Sequence, residues 1–403
     1  MSFSLLGLSD PIVQAVTEQD YTTPTPIQNK AIPFVLKGKN VIAAAQTGTG
    51  KTASFVLPIL QKLIDAPAVR PKRVHAMILT PTRELAIQVE ANIQLYAKHL
   101  NITSMAMYGG VDSEPQKQAL IDGIDILVAT PGRLLDMYTR RAIHFDETSI
   151  LVIDEADRML DMGFIADINK IVEKLPEQRQ NLLFSATLSK QVRFLARTAV
   201  TDAVEISIKP EAVNTPKIQQ HLITVDKEFK SALLGKLIID NEWQQALVFI
   251  STKRGAAKLV SQLEKRDIAA ESFHSGRSQA VREQLLTDFK DGKIKFLVAT
   301  GIAARGIDID ELARVVNYDL PDEAEDYVHR IGRTGRAGAE GEAISFVSRD
   351  DFRNLVAIEQ HLGSFIKREV VEGLEPKLAV PASDAAHAPK KAQKGRGRRA
   401  NKR

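Results

Sequence analysis

The sequence predicts two α/β domains in tandem, each a parallel sheet wound with helices, followed by a basic carboxyl-terminal tail. Three observations carry that prediction. Short apolar runs alternate with longer amphipathic stretches, a polar segment with two prolines at residues 209–217 interrupts the alternation, and periodicity is lost after about residue 371. Continuous apolar runs suit strands buried on both faces, as parallel sheets require. Their alternation with helical spacing defines the α/β class.

In chain order, the first strands are Val41-Ile-Ala-Ala-Ala45, Ala76-Met-Ile-Leu-Thr80, Ile124-Asp-Ile-Leu-Val-Ala129, Ile150-Leu-Val-Ile153 and Asn181-Leu-Leu-Phe184. Between them, stretches such as residues 83–100 carry apolar residues at helical spacing. After the linker come Ala246-Leu-Val-Phe-Ile250, Phe296-Leu-Val-Ala299, Val315-Val316 and Ala343-Ile-Ser-Phe-Val347, with a helical pattern at residues 255–266. The expected boundaries are residues 1–208 for the first domain, 209–217 for the linker, 218–370 for the second domain and 371–403 for a disordered tail.

The 403 residues, 44% hydrophobic and 26% charged, are enough for two domains with separate cores. No run approaches the ~18 apolar residues of a membrane span, and the first ten residues lack a secretory pattern. The expectation is therefore a cytoplasmic protein with no membrane partner. With no cysteine, disulfides and thiolate metal sites are excluded. The net charge of +4 conceals an asymmetry. Residues 390–403 hold eight basic side chains and no acidic one, so taking that +8 from the whole leaves the remainder near −4. Attraction to a polyanion belongs to the tail and gives no sign that the folded body is basic.

Ala45-Gln46-Thr47-Gly48-Thr49-Gly50-Lys51-Thr52 follows a predicted strand and opens a helix. Glycines there let backbone N–H groups converge on phosphate oxygens at a helix start. Lys51 would reach the β- and γ-phosphates of ATP and Thr52 would bind Mg²⁺. Ala45 stands where such loops have their first glycine. Asp154-Glu155-Ala156-Asp157 ends the strand Ile150–Ile153, at the sheet edge where parallel sheets bind ligands. Asp154 would hold Mg²⁺, mostly through water, and Glu155 would position and activate the attacking water. An acidic helix start is also a common structural device. The pairing with Lys51 favours chemistry.

With both motifs in place, the chain resembles the DEAD-box ATP-dependent RNA helicases from about Phe3 to Val347. The opening Ser2-Phe-Ser-Leu-Leu-Gly-Leu-Ser9 is most similar to the bacterial RhlE-type subgroup. The resemblance implies two RecA-like domains of P-loop NTPase type, with ATP and RNA bound across the cleft between them. Tyr21-Thr-Thr-Pro-Thr-Pro-Ile-Gln28 resembles the adenine-reading motif. Gln28 would meet adenine's polar edge, one amide offering a donor and an acceptor, and Phe3 would stack on the ring. Asp20 replaces the family's glycine before Tyr21. Ser185-Ala-Thr187 resembles the motif coupling hydrolysis to strand separation.

In the second domain, His329-Arg-Ile-Gly-Arg-Thr-Gly-Arg336 is similar to the family's arginine motif. Arg333 and Arg336 would stabilise charge on the transferring phosphoryl group, and His329 would link to the first domain's motifs. Ala303-Ala-Arg-Gly-Ile-Asp308 resembles the motif that places Asp308 near the ribose hydroxyls and Thr300 near an RNA phosphate. Gly301 replaces an aspartate and Ser275 a glycine of the family pattern. Pro81, Thr82, Arg83, Gly109, Gly110, Thr130, Gly132 and Arg133 match its RNA-backbone motifs in the first domain; Thr252, Gln279, Arg282 and Thr300 do so in the second. Charge, small donors and bare backbone suit phosphates. Without aromatic platforms, contacts independent of base sequence are expected. RNA is preferred over DNA by resemblance alone, as are a monomeric state and partners in RNA turnover or ribosome assembly.

Overall fold

The computed structural model describes residues 2–46, 48–66, 73–208, 218–304, 309, 312–335 and 341–381. Two compact units divide between Ala212 and Val213. Thr47, Asp308, Arg336, the 209–217 segment and the eight tail cations lie outside the described residues.

The first unit holds seven strands: β1 (Asn40–Ala44), β2 (Ala76–Leu79), β3 (Ser104–Met107), β4 (Ile126–Ala129), β5 (Ile150–Ile153), β6 (Gln180–Ser185) and β7 (Ala203–Ser207). They pair in the order β3-β4-β2-β5-β6-β1-β7, every pair parallel. Strand pleating alternates the side chains between faces. Ile150 and Val152 enter one core with Val41, Ile78 and Phe184, while Leu151 and Ile153 enter the other with Met77, Leu127 and Leu183. Each such side chain contributes roughly 1.5–3 kcal/mol on burial. That is why the central strands read as unbroken apolar runs.

The second unit repeats this arrangement. Its strands are β8 (Ile218–Thr224), β9 (Ala246–Ile250), β10 (Ala270–Phe273), β11 (Phe296–Thr300), β12 (Arg314–Asn317), β13 (Gly341–Val347) and β14 (Arg368–Glu369). Their order is β10-β11-β9-β12-β13-β8-β14, again wholly parallel. Shifting each number by seven converts the first order into the second.

Five strands escape the sequence reading: β3, β7, β8, β10 and β14. Four lie at sheet edges, where one face or one side is open to water, and β3, β7 and β10 are only partly buried. The expected boundary at residue 371 needs correction as well. Val371 and Leu374 pack on the second unit's core and Val380 is buried in it. The Lys377 N–H donates to Asp226 at 2.9 Å and its ammonium meets Glu228 at 2.8 Å. This segment is held by single pairings after β14, which leave no periodic trace in the sequence.

Candidate functional site

Because each sheet is parallel, all its strands deliver their following loops to one edge, and strand order decides which loops are neighbours. In the first unit β5, β6 and β1 are adjacent, bringing together Asp154–Asp157, Ser185–Thr187 and the glycine-rich loop. On the other side, β3, β4 and β2 bring together Gly109-Gly110, Thr130–Arg133 and Pro81–Arg83. The motifs expected to hold nucleotide and those expected to hold RNA are thus sorted into two blocks on one edge.

Gly48 (φ 79°) and Gly50 (φ 86°) both take the left-handed backbone that glycine favours. A Cβ on Gly50 would lie 2.3 Å from Gln28 Nε2, so a side chain there would also have to displace the Gln28 amide. Thr49 Oγ1 donates to the Gln46 carbonyl at 2.7 Å, closing the turn. Lys51 begins the helix Lys51–Asp65, is 7% exposed, and donates from Nζ to the Ala45 carbonyl at 2.7 Å. Burial lowers the Lys51 pKa, opposed by the charges of Asp154, Glu155 and Asp157.

Gln28 is 5% exposed and already engaged on both sides of its amide. Its Oε1 accepts the Thr25 N–H at 2.8 Å and its Nε2 donates to the Gly50 carbonyl at 3.2 Å. One N–H and one lone pair remain for a base edge. Gln28 also ties the Tyr21–Gln28 segment to the phosphate loop, a role its sequence position did not reveal. Phe3, at 4% exposure, packs with Leu6 and Leu8 in the core. Tyr21, 52% exposed, is the open aromatic of the pair.

Asp154 is 3% exposed and accepts the Glu155 N–H at 2.9 Å. Burial, then the neighbouring Glu155 charge, pushes its pKa up to about 7 against the pull of Lys51. Glu155 sits at φ 50°, in left-handed backbone that costs a side-chain-bearing residue on the order of 1–3 kcal/mol and is characteristic of functional positions. Asp157 is a residue the sequence reading left without a role. Its Oδ2 accepts the N–H groups of Ala186 (2.9 Å) and Thr187 (3.0 Å) and lies 3.4 Å from Thr187 Oγ1. The acidic motif is thereby joined to Ser185–Thr187, whose Ser185 Oγ is fully buried without a hydrogen-bond partner. Among the described residues no cluster of three or more His, Cys, Asp or Glu could hold a metal. One carboxylate and one half-buried hydroxyl, Asp154 and Thr52, fit an ion that keeps most of its ligands as water and phosphate, as Mg²⁺ does.

In the second block, Thr82 caps the helix Arg83–Tyr96, its hydroxyl accepting the Leu85 N–H at 3.2 Å. The Arg83 guanidinium rests on the bare face of Gly110, where a Cβ would come within 2.2 Å of it. Gly110 and Gly132 are exposed, while Pro81 and Thr82 are buried. Arg133 is committed inside the protein, donating to the Val111 carbonyl (2.8 Å) and to Gln116 Oε1 (3.4 Å). It braces the Gly109-Gly110 turn.

The second unit carries matching pieces on the matching strands. Thr252 follows β9 and caps the helix Lys253–Glu264, accepting the Gly255 N–H at 3.0 Å and remaining exposed. Thr300 ends β11 at 7% exposure. Gln279 and Arg282 are 3% and 5% exposed. The Arg282 guanidinium covers the Phe273 ring at 4.9 Å and lies 3.4 Å from the Ala303 carbonyl, supporting the Thr300 loop from behind. Ser275 does not take positive φ, so its backbone has no need of the family's glycine. Lys230 opens the helix after β8 as Lys51 does after β1, but is satisfied by the Tyr318 carbonyl (2.9 Å), Asp351 (3.1 Å) and Asp319 (3.7 Å). His329 lies half-buried on the helix Ala324–Ile331 and Arg333, 7% exposed, in the turn that follows. Arg330 anchors that helix, donating to the Asp319 carbonyl at 2.9 Å and covering Phe249.

A glycine-rich loop and acidic strand end on one lobe of a duplicated parallel sheet define a nucleotide-handling α/β protein. Comparison with known proteins narrows the class. Residues 25–195 match the DEAD/DEAH box helicase family and residues 230–338 the helicase conserved C-terminal domain. The chain is 43% identical over 359 residues to the DEAD-box ATP-dependent RNA helicase CshA of Bacillus cereus, covering 89% of this chain and 68% of that one. It is 41% identical over 373 residues to the ATP-dependent RNA helicase RhlB of Pseudomonas syringae pv. tomato, covering 91% and 94%. Among solved structures, S. cerevisiae Dbp5 bound to RNA and ADP BeF3 matches with a TM-score of 0.82 at 33% identity, covering 93% and 95%. Mss116p bound to ssRNA and AMP-PNP matches with a TM-score of 0.82 at 30% identity, covering 92% and 78%. The chain belongs to the DEAD-box ATP-dependent RNA helicase family.

Proposed function

We propose that this ATP-dependent RNA helicase couples RNA-stimulated ATP hydrolysis to local opening of short RNA duplexes. The observation that supports it is the edge of the first sheet, where Lys51, Asp154, Glu155 and Asp157 converge beside the block of Thr82, Arg83, Gly110 and Thr130. Lys51 and the backbone of residues 46–50 hold the ATP phosphates, with Gln28 and Tyr21 at the base. Glu155 orients a water whose oxygen attacks the γ-phosphorus as the bond to the β,γ-bridging oxygen breaks, giving ADP and inorganic phosphate. Mg²⁺, held by Thr52 and Asp154, would neutralise phosphate charge. Arg333 and Arg336 complete the site from the second domain when the lobes close on ATP and RNA, His329 linking them to the acidic motif. Asp308 meets the ribose. Closure bends the RNA held by Thr252, Thr300 and the first-domain block, so each ligand tightens the other.

The Asp157 bridge to Thr187 gives the hydrolytic motif a path to strand separation through Ser185 and Thr187. The opening residues 2–9 support a place nearest the RhlE-type subgroup. Among the described residues no helix is long and apolar enough to cross a membrane; cytoplasmic location, a monomeric state, and work in RNA turnover or ribosome assembly accord with this reading. ATPase measured with and without RNA, on the wild type and Lys51→Ala, is the test. RNA should stimulate the wild type and leave the variant inert, and an RNA-indifferent wild type overturns the reading. Loss of turnover in Glu155→Gln separates a motor from an ATP-gated clamp, and competition between RNA and DNA for stimulation separates it from a DNA helicase.

A further inference from the structure

The first unit buries one guanidinium that none of the roles above uses. Arg158, in the helix Ala156–Asp161, is 3% exposed, and its Nη1 lies 3.0 Å from Glu155 Oε2. Neither atom makes a hydrogen bond, so the two meet at ion-pair distance but out of hydrogen-bond alignment. Burying these two charged atoms without a hydrogen bond is costly, and packing alone does not repay it. Glu155 is also on left-handed backbone, φ 50°, which sets its Cβ direction but not its carboxylate.

We propose that Arg158 is a positioning residue for hydrolysis: it restrains the Glu155 carboxylate by charge while leaving that carboxylate's lone pairs open to the attacking water. The inference rests on the reading of Glu155 as the residue that orients the water. A hydrogen-bonded partner would fill those lone pairs, whereas an off-axis guanidinium fixes the group and leaves it able to accept. Arginine suits the task because its head group stays charged even when buried. Lys51, Asp154 and Asp157 are the other charges that bear on this cluster. Of these only Lys51 is a cation, and the cation at ion-pair distance from the Glu155 carboxylate is Arg158, so the restraint falls to it.

The test is RNA-stimulated ATPase of Arg158→Met, Arg158→Gln and Arg158→Lys in the full chain, with thermal unfolding and binding of a fluorescent ATP analogue measured on the same samples. Displacing a reacting group by about 1 Å costs on the order of a hundredfold in rate. The neutral variants should therefore lose about tenfold to a hundredfold in kcat. KM for ATP, analogue affinity and half-saturating RNA should stay within about twofold, because the lost restraint acts on the transition state and not on ground-state binding. Arg158→Lys should recover most of the rate. If Arg158→Met does not fold, Arg158→Gln carries the same comparison. A folded neutral variant with wild-type kcat overturns the inference, as does a loss that appears in KM or analogue affinity, or a lysine variant no better than methionine. Glu155→Gln run alongside isolates the premise. If it still turns over, the reading of Glu155 fails; if it is dead while Arg158→Met is active, only the role of Arg158 fails.

Discussion

Replacing Asp157 by alanine should unfasten the first unit's acidic motif from Ser185–Thr187, and the cost can be worked from the geometry. One carboxylate oxygen accepts two backbone N–H groups, at 2.9 and 3.0 Å, and faces a hydroxyl at 3.4 Å, all in a residue 5% exposed. Hydrogen bonds to a charged group contribute about 1.5–3 kcal/mol each. Ala186 and Thr187 are half-buried, so water replaces part of the loss and the lower end applies. Two bonds then give about 3 kcal/mol for Asp157→Ala, while Asp157→Asn, which keeps an acceptor and loses the charge, costs about 1 kcal/mol. With an m-value of about 2 kcal/mol/M in urea, the alanine variant's midpoint should fall by about 1.5 M. Far-UV circular dichroism follows the whole chain, whereas fluorescence of the single tryptophan, Trp243, reports the second unit in which it is buried. The dichroism transition should move and the fluorescence transition should stay. A dichroism midpoint within about 0.3 M of wild type would refute the reasoning, since it would assign those bonds less than ~1 kcal/mol.

Asp20, at φ 59°, holds left-handed backbone, which glycine adopts more readily than a residue with a side chain. Asp20→Val should destabilise the first unit by about 1–2 kcal/mol while Asp20→Gly is neutral or mildly stabilising, as read by urea midpoints. Asp154, raised to about 7, is the opposite of a stabilising carboxylate at neutral pH. A raised pKa contributes stability that is complete below the unfolded value of 3.8 and is lost as pH rises through about 7. Asp154→Asn should accordingly raise the urea midpoint of the metal-free protein more at pH 8 than at pH 5, and an equal gain at both would contradict the assignment. At Gly301 a Cβ would lie 3.1 Å from an Arg330 guanidinium nitrogen, and the backbone there is not left-handed. Gly301→Asp should pair with Arg330, steady the Thr300 loop and lower half-saturating RNA in the ATPase assay severalfold; an unchanged RNA dependence would show that the missing carboxylate is immaterial.

How far the sequence speaks depends on what each residue's neighbours are. Ile150-Leu-Val-Ile153 is legible as a strand because both of its faces are buried and the apolar run shows it. Ser104–Met107 and Ala203–Ser207 are not, because edge strands meet water and accept residues such as Ser104 and Glu205. The local strings of the site were legible for a similar reason: Gly48, Gly50 and Lys51 answer to backbone geometry within one loop. Partners distant in sequence were not. Nothing in the spacing of Gln28 reveals that its amide is shared with Gly50, or that Arg133 is spent on Val111 and Arg282 on Phe273. Side chains chosen for a donor or a charge can serve the protein as readily as a ligand, and only their surroundings tell which. Phe3 is the apolar counterpart, an aromatic consumed by the core.

The position of β1 has a consequence for the birth of the molecule. It is the first strand made, yet both its neighbours are the last of its sheet: Val41 pairs with Leu182 on one side and Val204 on the other. At ribosomal speeds of roughly 5–20 residues per second, the nascent chain must grow for roughly 7–30 s before the nearer partner exists. Throughout that interval Asn40–Ala44, an apolar ribbon with two unmet hydrogen-bonding edges, is a sticky end in a crowded cell. The loop that follows β1 is therefore seated only once residues 180–185 and 203–207, the last strands of the sheet, have been made.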